Sequence, residues 1–272
     1  NDSNLRVKEG LITQVVNYDY SLGTVYDIIE QLGEDDPTKI LFRALTLIKK
    51  VTECNDVSIY FIDGDNYARL FGYTSKKAAS MGDTFYLPGK EPIYNAVIKD
   101  IVYLNRDMDS EYPTMAYTLF EDGKPNMIIM LWSIPFERMT IDESNRLTVL
   151  CKLIKKSVKR AEEYMELLKE ERCSLGGLAL NTQAFAELVD IFREAKRNGM
   201  TDYYLLKVSS KDAESAVSVI NSLLNPFCFI GYGEDGGINI LIIGTERQEC
   251  DRIRAELNQN GISTAVIGER EL

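Results

Sequence analysis

Apolar side chains recur every seven residues between positions 142 and 172. Leu147, Ile154, Ala161 and Leu168 occupy one heptad position, and Cys151, Val158 and Met165 occupy the other. A helix striped in this way must bury that seam along its whole length. It divides the 272-residue chain into two parts, each large enough to be a domain. Two partners can take the seam. Another chain would make a coiled coil, and the preceding domain would make a helix folded back on its own sheet. Both stay open for the first half of the helix, and a coiled coil is the expectation for the second. Lys, Arg and Glu fill the remaining positions, as a solvated face requires.

Ahead of this helix the periodicity switches several times. Residues 5–32 read as a helix with an imperfect seam of Lys8, Val15, Leu22 and Ile29, stopped by Gly33-Glu34-Asp35-Asp36-Pro37. A second helix is predicted over 38–52, with Ile40, Leu41, Ala44, Leu45 and Ile48 on one face. Alternating residues at 56–62 and 67–73 flank Asp63-Gly64-Asp65 and read as a hairpin. A loop over 81–92, a short helix over 93–99 and a strand over 101–105 follow. A second hairpin is predicted from 117–120 and 126–132 about Glu121-Asp122-Gly123. Its run from Met127 to Trp132 is apolar on both faces and is predicted to be a central strand.

Beyond Gly176-Gly177 the pattern predicts a helix over 182–198, then strand 203–208, helix 212–224, strands 227–232 and 238–243, helix 246–260 and strand 263–267. The last six elements run βαββαβ, the order of a ferredoxin-like antiparallel sheet with helices on one face. The fold class expected for the chain is therefore α+β.

Composition removes several chemistries. The chain has no histidine, so serine–histidine and cysteine–histidine nucleophile pairs and histidine-ligated zinc are excluded. The five cysteines, Cys54, Cys151, Cys173, Cys228 and Cys250, never form a CxxC spacing, which predicts no structural zinc and no disulfide framework. Forty-two acidic against 31 basic residues give a net charge of −11, opposed to nonspecific nucleic-acid binding. No apolar run reaches the ~18 residues of a membrane span. The polar start at Asn1 reads as the edge of a longer protein.

Four features are candidates for chemistry. Glu234-Asp235-Gly236-Gly237 can bring phosphate near backbone or hold a metal, but reads first as a tight turn solvated by acids. Arg106-Asp107-Met108-Asp109 reads as a loop with a surface ion pair. Arg247, Arg252 and Arg254 on the last helix can bind an anion bidentately, or simply balance Glu246, Glu249, Asp251 and Glu256. Trp132 is a core candidate beside which a ligand cavity can lie. No catalytic and no metal-ligating residue is predicted.

The pattern over 36–150 resembles a GAF domain, an antiparallel sheet flanked by helices. The last hundred or so residues resemble a truncated, degenerate GGDEF domain. Cys173-Ser174-Leu175-Gly176-Gly177-Leu178 stands where active diguanylate cyclases carry Asp-x-Leu-Thr-Gly-Leu, and Gly231–Gly237 occupies the signature hairpin. More closely, the chain resembles PelD-like regulators of Pel exopolysaccharide synthesis. The resemblance is carried by Tyr18-Asp19-Tyr20-Ser21-Leu22-Gly23-Thr24, Tyr67-Ala68-Arg69-Leu70-Phe71, Tyr103-Leu104-Asn105-Arg106, Tyr112-Pro113-Thr114-Met115-Ala116 and the run from Met130 to Thr140.

The resemblance implies a stalk helix over 1–34, a GAF domain over 35–145, a connecting helix over 146–174 and a degenerate GGDEF domain over 175–272. It implies the cytoplasmic part of a bacterial membrane protein whose spans lie outside this chain. The implied partners are other subunits of a polysaccharide synthase at the inner face of the membrane, with a homodimer through the stalk helices and no nucleic acid. No cofactor is required, and cyclic di-GMP is the implied regulatory ligand. The family's Arg-x-x-Asp site should fall near 221–227, where the sequence reads Asn-Ser-Leu-Leu-Asn-Pro-Phe. Arg252 or Arg254, with Arg247 nearby, falls where a further family arginine is placed. Lys207 sits where the family's first-strand metal ligand would be, which opposes cyclase activity. The chain is therefore expected not to be an enzyme. A small-molecule sensor built on the GAF pocket, and a nucleotide cyclase, are the alternatives.

Overall fold

The computed structural model describes residues 23, 25–209, 213–223, 228–244 and 247–268. The predicted helix before residue 23, with Tyr18-Asp19-Tyr20-Ser21, lies outside them. So does most of 221–227, the stretch where the family's Arg-x-x-Asp would fall. The fold is α+β, built from two six-stranded sheets.

The N-terminal lobe begins with α1 (25–31) and α2 (Pro37–Thr52). Asp36 caps α2: its Oδ1 accepts from the amides of Thr38 at 2.8 Å and Lys39 at 3.1 Å, and Pro37 takes the first turn, where no amide is needed. The sheet contains β1 (Val57–Ile62), β2 (Tyr67–Tyr73), β3 (Thr84–Tyr86), β4 (Tyr103–Leu104), β5 (Met115–Glu121) and β6 (Lys124–Leu131). Its order is β3-β2-β1-β6-β5-β4. Both predicted hairpins form, the second turning through Asp122 and Gly123 at positive φ. β6 lies between β1 and β5 with residues 127–131 buried, the central strand that its two-faced apolarity implies. One face packs on α3 (Glu91–Ile98). The other packs on α2 and α4 (Ile141–Leu167).

The first half of the long helix folds back on its own lobe, and the seam stays in that core as far as Ala161; beyond it Met165 and Leu168 are half-buried and lie outside the core. Leu147, Cys151 and Ile154 are 0% exposed, and so is Ala161, while Val158 is 6% exposed; all five pack into the lobe's own core. The seam folds back because α2 and the sheet present an apolar surface that covers it. Arginines pin the start of the helix and its second half. Arg138 reaches Glu53 at 2.8 Å and Glu143 at 3.3 Å, and Arg160 donates to the carbonyls of Leu32 and Glu34 at 3.4 and 2.7 Å.

After α5 (Lys169–Arg172) come β7 (Cys173–Ser174), β8 (Ala179–Leu180) and α6 (Thr182–Arg197). Then follow β9 (Tyr203–Ser209), α7 (Ala213–Leu223), β10 (Cys228–Tyr232), β11 (Ile238–Ile243), α8 (Arg247–Gln259) and β12 (Ser263–Ile267). The order is β12-β9-β11-β10-β8-β7. The first four neighbours are mutually antiparallel, the ferredoxin-like core predicted from βαββαβ. The β7–β8 extension was not predicted, because two-residue strands leave no periodicity.

The lobes share one core. Phe42 and Phe71 of the first pack against Phe192 of α6, with ring centroids 5.5 and 6.2 Å away, and Phe192 also meets Tyr203 at 6.1 Å. Backbone bonds cross the contact. The Tyr73 amide donates to Met200 O at 2.8 Å, and Thr201 Oγ1 donates to Phe71 O at 3.1 Å. Gly72 permits the approach, since a Cβ there would lie 2.9 Å from Leu45 Cδ1 and 3.1 Å from Met200 O. Among the described residues, no helix is long and apolar enough to cross a membrane.

Candidate functional site: the β10–β11 hairpin

The hairpin joining β10 and β11 gathers the candidate chemistry of the C-terminal lobe. The Gly233 amide donates to Gly237 O at 2.8 Å, and the Gly236 amide to Gly233 O at 3.0 Å. Gly236 has φ +75°, a conformation that favours glycine. Asp235 Oδ1 accepts from the Gly237 amide at 2.9 Å and folds the carboxylate over the turn. Its Oδ2 pairs with Lys207 Nζ on β9. Strand register creates that pair, because β11 aligns Asn239 with Lys207 and sets the hairpin beside the lysine. The Lys207 ammonium, with the Gly237 amide, holds the Asp235 carboxyl below the usual range.

The floor of the hairpin is tightly built. Gly231 lies under Phe185 of α6, where a Cβ would come within 2.4 Å of the ring. Asn239 lies against Gly233 and is 2% exposed. Its Oδ1 is buried without a hydrogen-bond partner among the described residues. Thr182 Oγ1, at the start of α6, donates to Gly233 O at 3.4 Å. Asn239 has no motif around it, and only its alternation with Ile238 and Ile240 marks the strand it lies on.

A divalent cation here would have to displace an ammonium. Among the described residues, no group of three or more His, Cys, Asp or Glu side chains is placed to hold a metal. Cys173 is half-buried in β7, and burial pushes its thiol up. The thiol of buried Cys151 is also pushed up by burial.

The three candidate arginines lie on α8 and each meets an acid of that helix. Arg247 and Arg254 flank Asp251 at 3.7 and 3.4 Å, and Arg252 reaches Glu256 at 3.0 Å. The helix thus brings Arg247 and Arg254 together around one carboxylate and sets Arg252 apart.

Two readings in the N-terminal lobe change. Arg106 makes no ion pair among the described residues. The loop is held instead by buried Asn105, whose Nδ2 donates to Asp109 O at 2.7 Å and Tyr112 O at 3.2 Å, while Oδ1 accepts from the Asp109 amide at 3.1 Å. A side chain able to serve both a donor and two carbonyls replaces the expected charge pair. Trp132 is core: it is 4% exposed and its Nε1 donates to Ser58 Oγ at 3.1 Å.

No family model and no curated protein matches the chain. Among solved structures it is similar to PelD 158-CT from Pseudomonas aeruginosa PAO1, at 13% identity and a TM-score of 0.40, over 90% of this chain and 89% of that one. PelD 156-455 from P. aeruginosa PA14 in complex with c-di-GMP gives 11% identity and 0.38, over 90% and 88%. The GAF domain of an Acinetobacter phosphoenolpyruvate-protein phosphotransferase gives 10% identity and 0.39, over 53% of this chain and 95% of that domain.

Proposed function

We propose that this chain is a non-catalytic regulatory region of a membrane-associated, Pel-type exopolysaccharide synthase, with domains divided as the sequence resemblance implies. The observation that carries the non-catalytic reading is the Lys207–Asp235 ion pair at the hairpin. Cyclisation of GTP calls for divalent cations held by carboxylates. Here a fixed cation occupies that position and engages the nearest hairpin acid. A single described helix, α7, lies between β9 and β10, which leaves little structure to enclose a nucleotide base.

The regulatory part of the reading rests on the sequence resemblance and on the shared core between the lobes. Such a core makes the molecule a rigid docking body for other synthase subunits. Cyclic di-GMP is the proposed ligand, with Arg247, Arg252 and Arg254 its proposed contacts. Each of those arginines must exchange an intrahelical acid for phosphate or base.

Incubation with GTP and magnesium is expected to yield no cyclic dinucleotide, and any product overturns the non-catalytic reading. Calorimetric titration with cyclic di-GMP separates receptor from scaffold. Heat that disappears in the Arg247→Ala/Arg252→Ala/Arg254→Ala variant supports the receptor. No heat at high micromolar ligand leaves the docking role alone. Deleting 35–145 is expected to abolish polymer secretion, and normal secretion would sink the synthase assignment. For the sensor alternative, Trp132 is enclosed and its N–H is donated to Ser58, so a ligand beside it would have to be met by the ring face.

A further inference from the structure

We propose that the solvent face of α4 is a homodimer interface, on which two copies of this chain pair antiparallel about a two-fold axis at Ala161. From Leu147 to Ala161 the heptad seam of α4 is buried in its own lobe, which leaves the opposite face of that stretch for a second copy. That face carries Lys152, Lys156 and Lys159, then Glu163 and Glu166, and the row continues on α5 with Glu170; all six are exposed. At 3.6 residues per turn, the five on α4 fall within roughly 80° of one another around its axis.

The signs change at Ala161. Lys159 and Glu163 lie equally far on either side of it, as do Lys156 and Glu166, and Lys152 and Glu170. A perpendicular two-fold axis there sets each lysine opposite a glutamate of the second copy. Symmetry makes every such contact twice. A parallel pair would instead face lysine with lysine. Leu167, 82% exposed, lies beside the row and supplies apolar contact.

The arrangement is unfavourable for an isolated helix. Stable solvated helices place opposite charges three or four residues apart. Here like charges stand at those spacings within each half. Lys169 offsets part of this by meeting Glu166 at 2.9 Å. An antiparallel second copy relieves the rest of both blocks at once.

Sedimentation equilibrium of the whole chain, at low and high salt, tests the proposal. A dimer that weakens with salt is expected, since exposed charge pairs are screened. Lys156→Glu and Glu166→Lys should each weaken dimerisation by ~10-fold or more, because each reversal sets two like-charge contacts across the axis. The Lys156→Glu/Glu166→Lys double reversal should restore affinity to within about threefold of the parent, by exchanging the partners of the same pairs. Far-UV circular dichroism checks that each variant is folded. A chain monomeric at several hundred micromolar overturns the proposal. So does a single reversal that leaves the dimer unchanged or tightens it, the response of a parallel pair. Folded single variants whose defects are not rescued in the double reversal overturn it as well.

Discussion

The two lobes treat buried polarity differently. In the N-terminal lobe, Trp132 Nε1 meets Ser58, Asn105 holds its loop, and Thr114 Oγ1 both donates to Leu131 O at 2.8 Å and accepts from the Ile134 amide at 3.1 Å. In the C-terminal lobe, Asn239 Oδ1, Arg254 Nε and Thr264 Oγ1 are buried without hydrogen bonds, and among the described residues no such atom lies in the N-terminal lobe. Native interiors satisfy nearly all such groups, so a cluster of exceptions needs a reason. Asn239 adjoins the β10–β11 hairpin at Gly233.

The largest effect is expected at the contact between the two lobes. Phe192→Ala, in the C-terminal lobe, removes the ring that meets Phe42 and Phe71 and should cost about 3–5 kcal/mol. Trp132, the chain's one tryptophan, reports on the other lobe. Its fluorescence midpoint in urea is expected to fall with the mutation. An unchanged midpoint would mean that the lobes unfold independently.

Within the lobes the contrast sharpens. Ser58→Ala leaves the buried Trp132 N–H without its acceptor and should cost about 1–3 kcal/mol. Asn239→Ala deletes an oxygen that has no partner, so its cost should stay under about 1 kcal/mol despite equal burial. Denaturant titrations of the two variants should therefore differ. Equal losses would show that Asn239 is as well satisfied as Ser58.

The smallest effect concerns pH. The Asp235 carboxyl is depressed in the folded state, first by Lys207 and then by the Gly237 amide. Its contribution to stability is present above the ordinary carboxyl value of 3.8 and is lost as pH falls through the lower folded value. Lys207→Met should be slightly less stable than the parent at neutral pH, with the gap closing below that range. The pair is exposed, so the gap should be small. A gap that persists unchanged in acid would assign the effect to packing of the lysine stem.

Much of the architecture was legible because the elements carry their own periods. The βαββαβ order, the central position of β6 and the turns at Asp63 and Gly123 follow from alternation, run length and glycine placement. The candidate site was legible in part. Lys207 is visible in the sequence as a cation on an apolar strand, while its partner lies 28 residues away and is chosen by strand register. Asn239 carries no motif, so only its burial reveals it.

The long helix marks the division between the two kinds of information. Its sequence determined that one face of residues 141–167 must be buried, because hydrophobic periodicity is a property of the helix itself. Which surface buries that face depends on what else the chain presents. Only the tertiary structure decided that α2 and the sheet cover it. The same holds for the two lobes. Local spacing determined their elements, but their fusion depends on Gly72, Met200 and Phe192 meeting across distant parts of the chain.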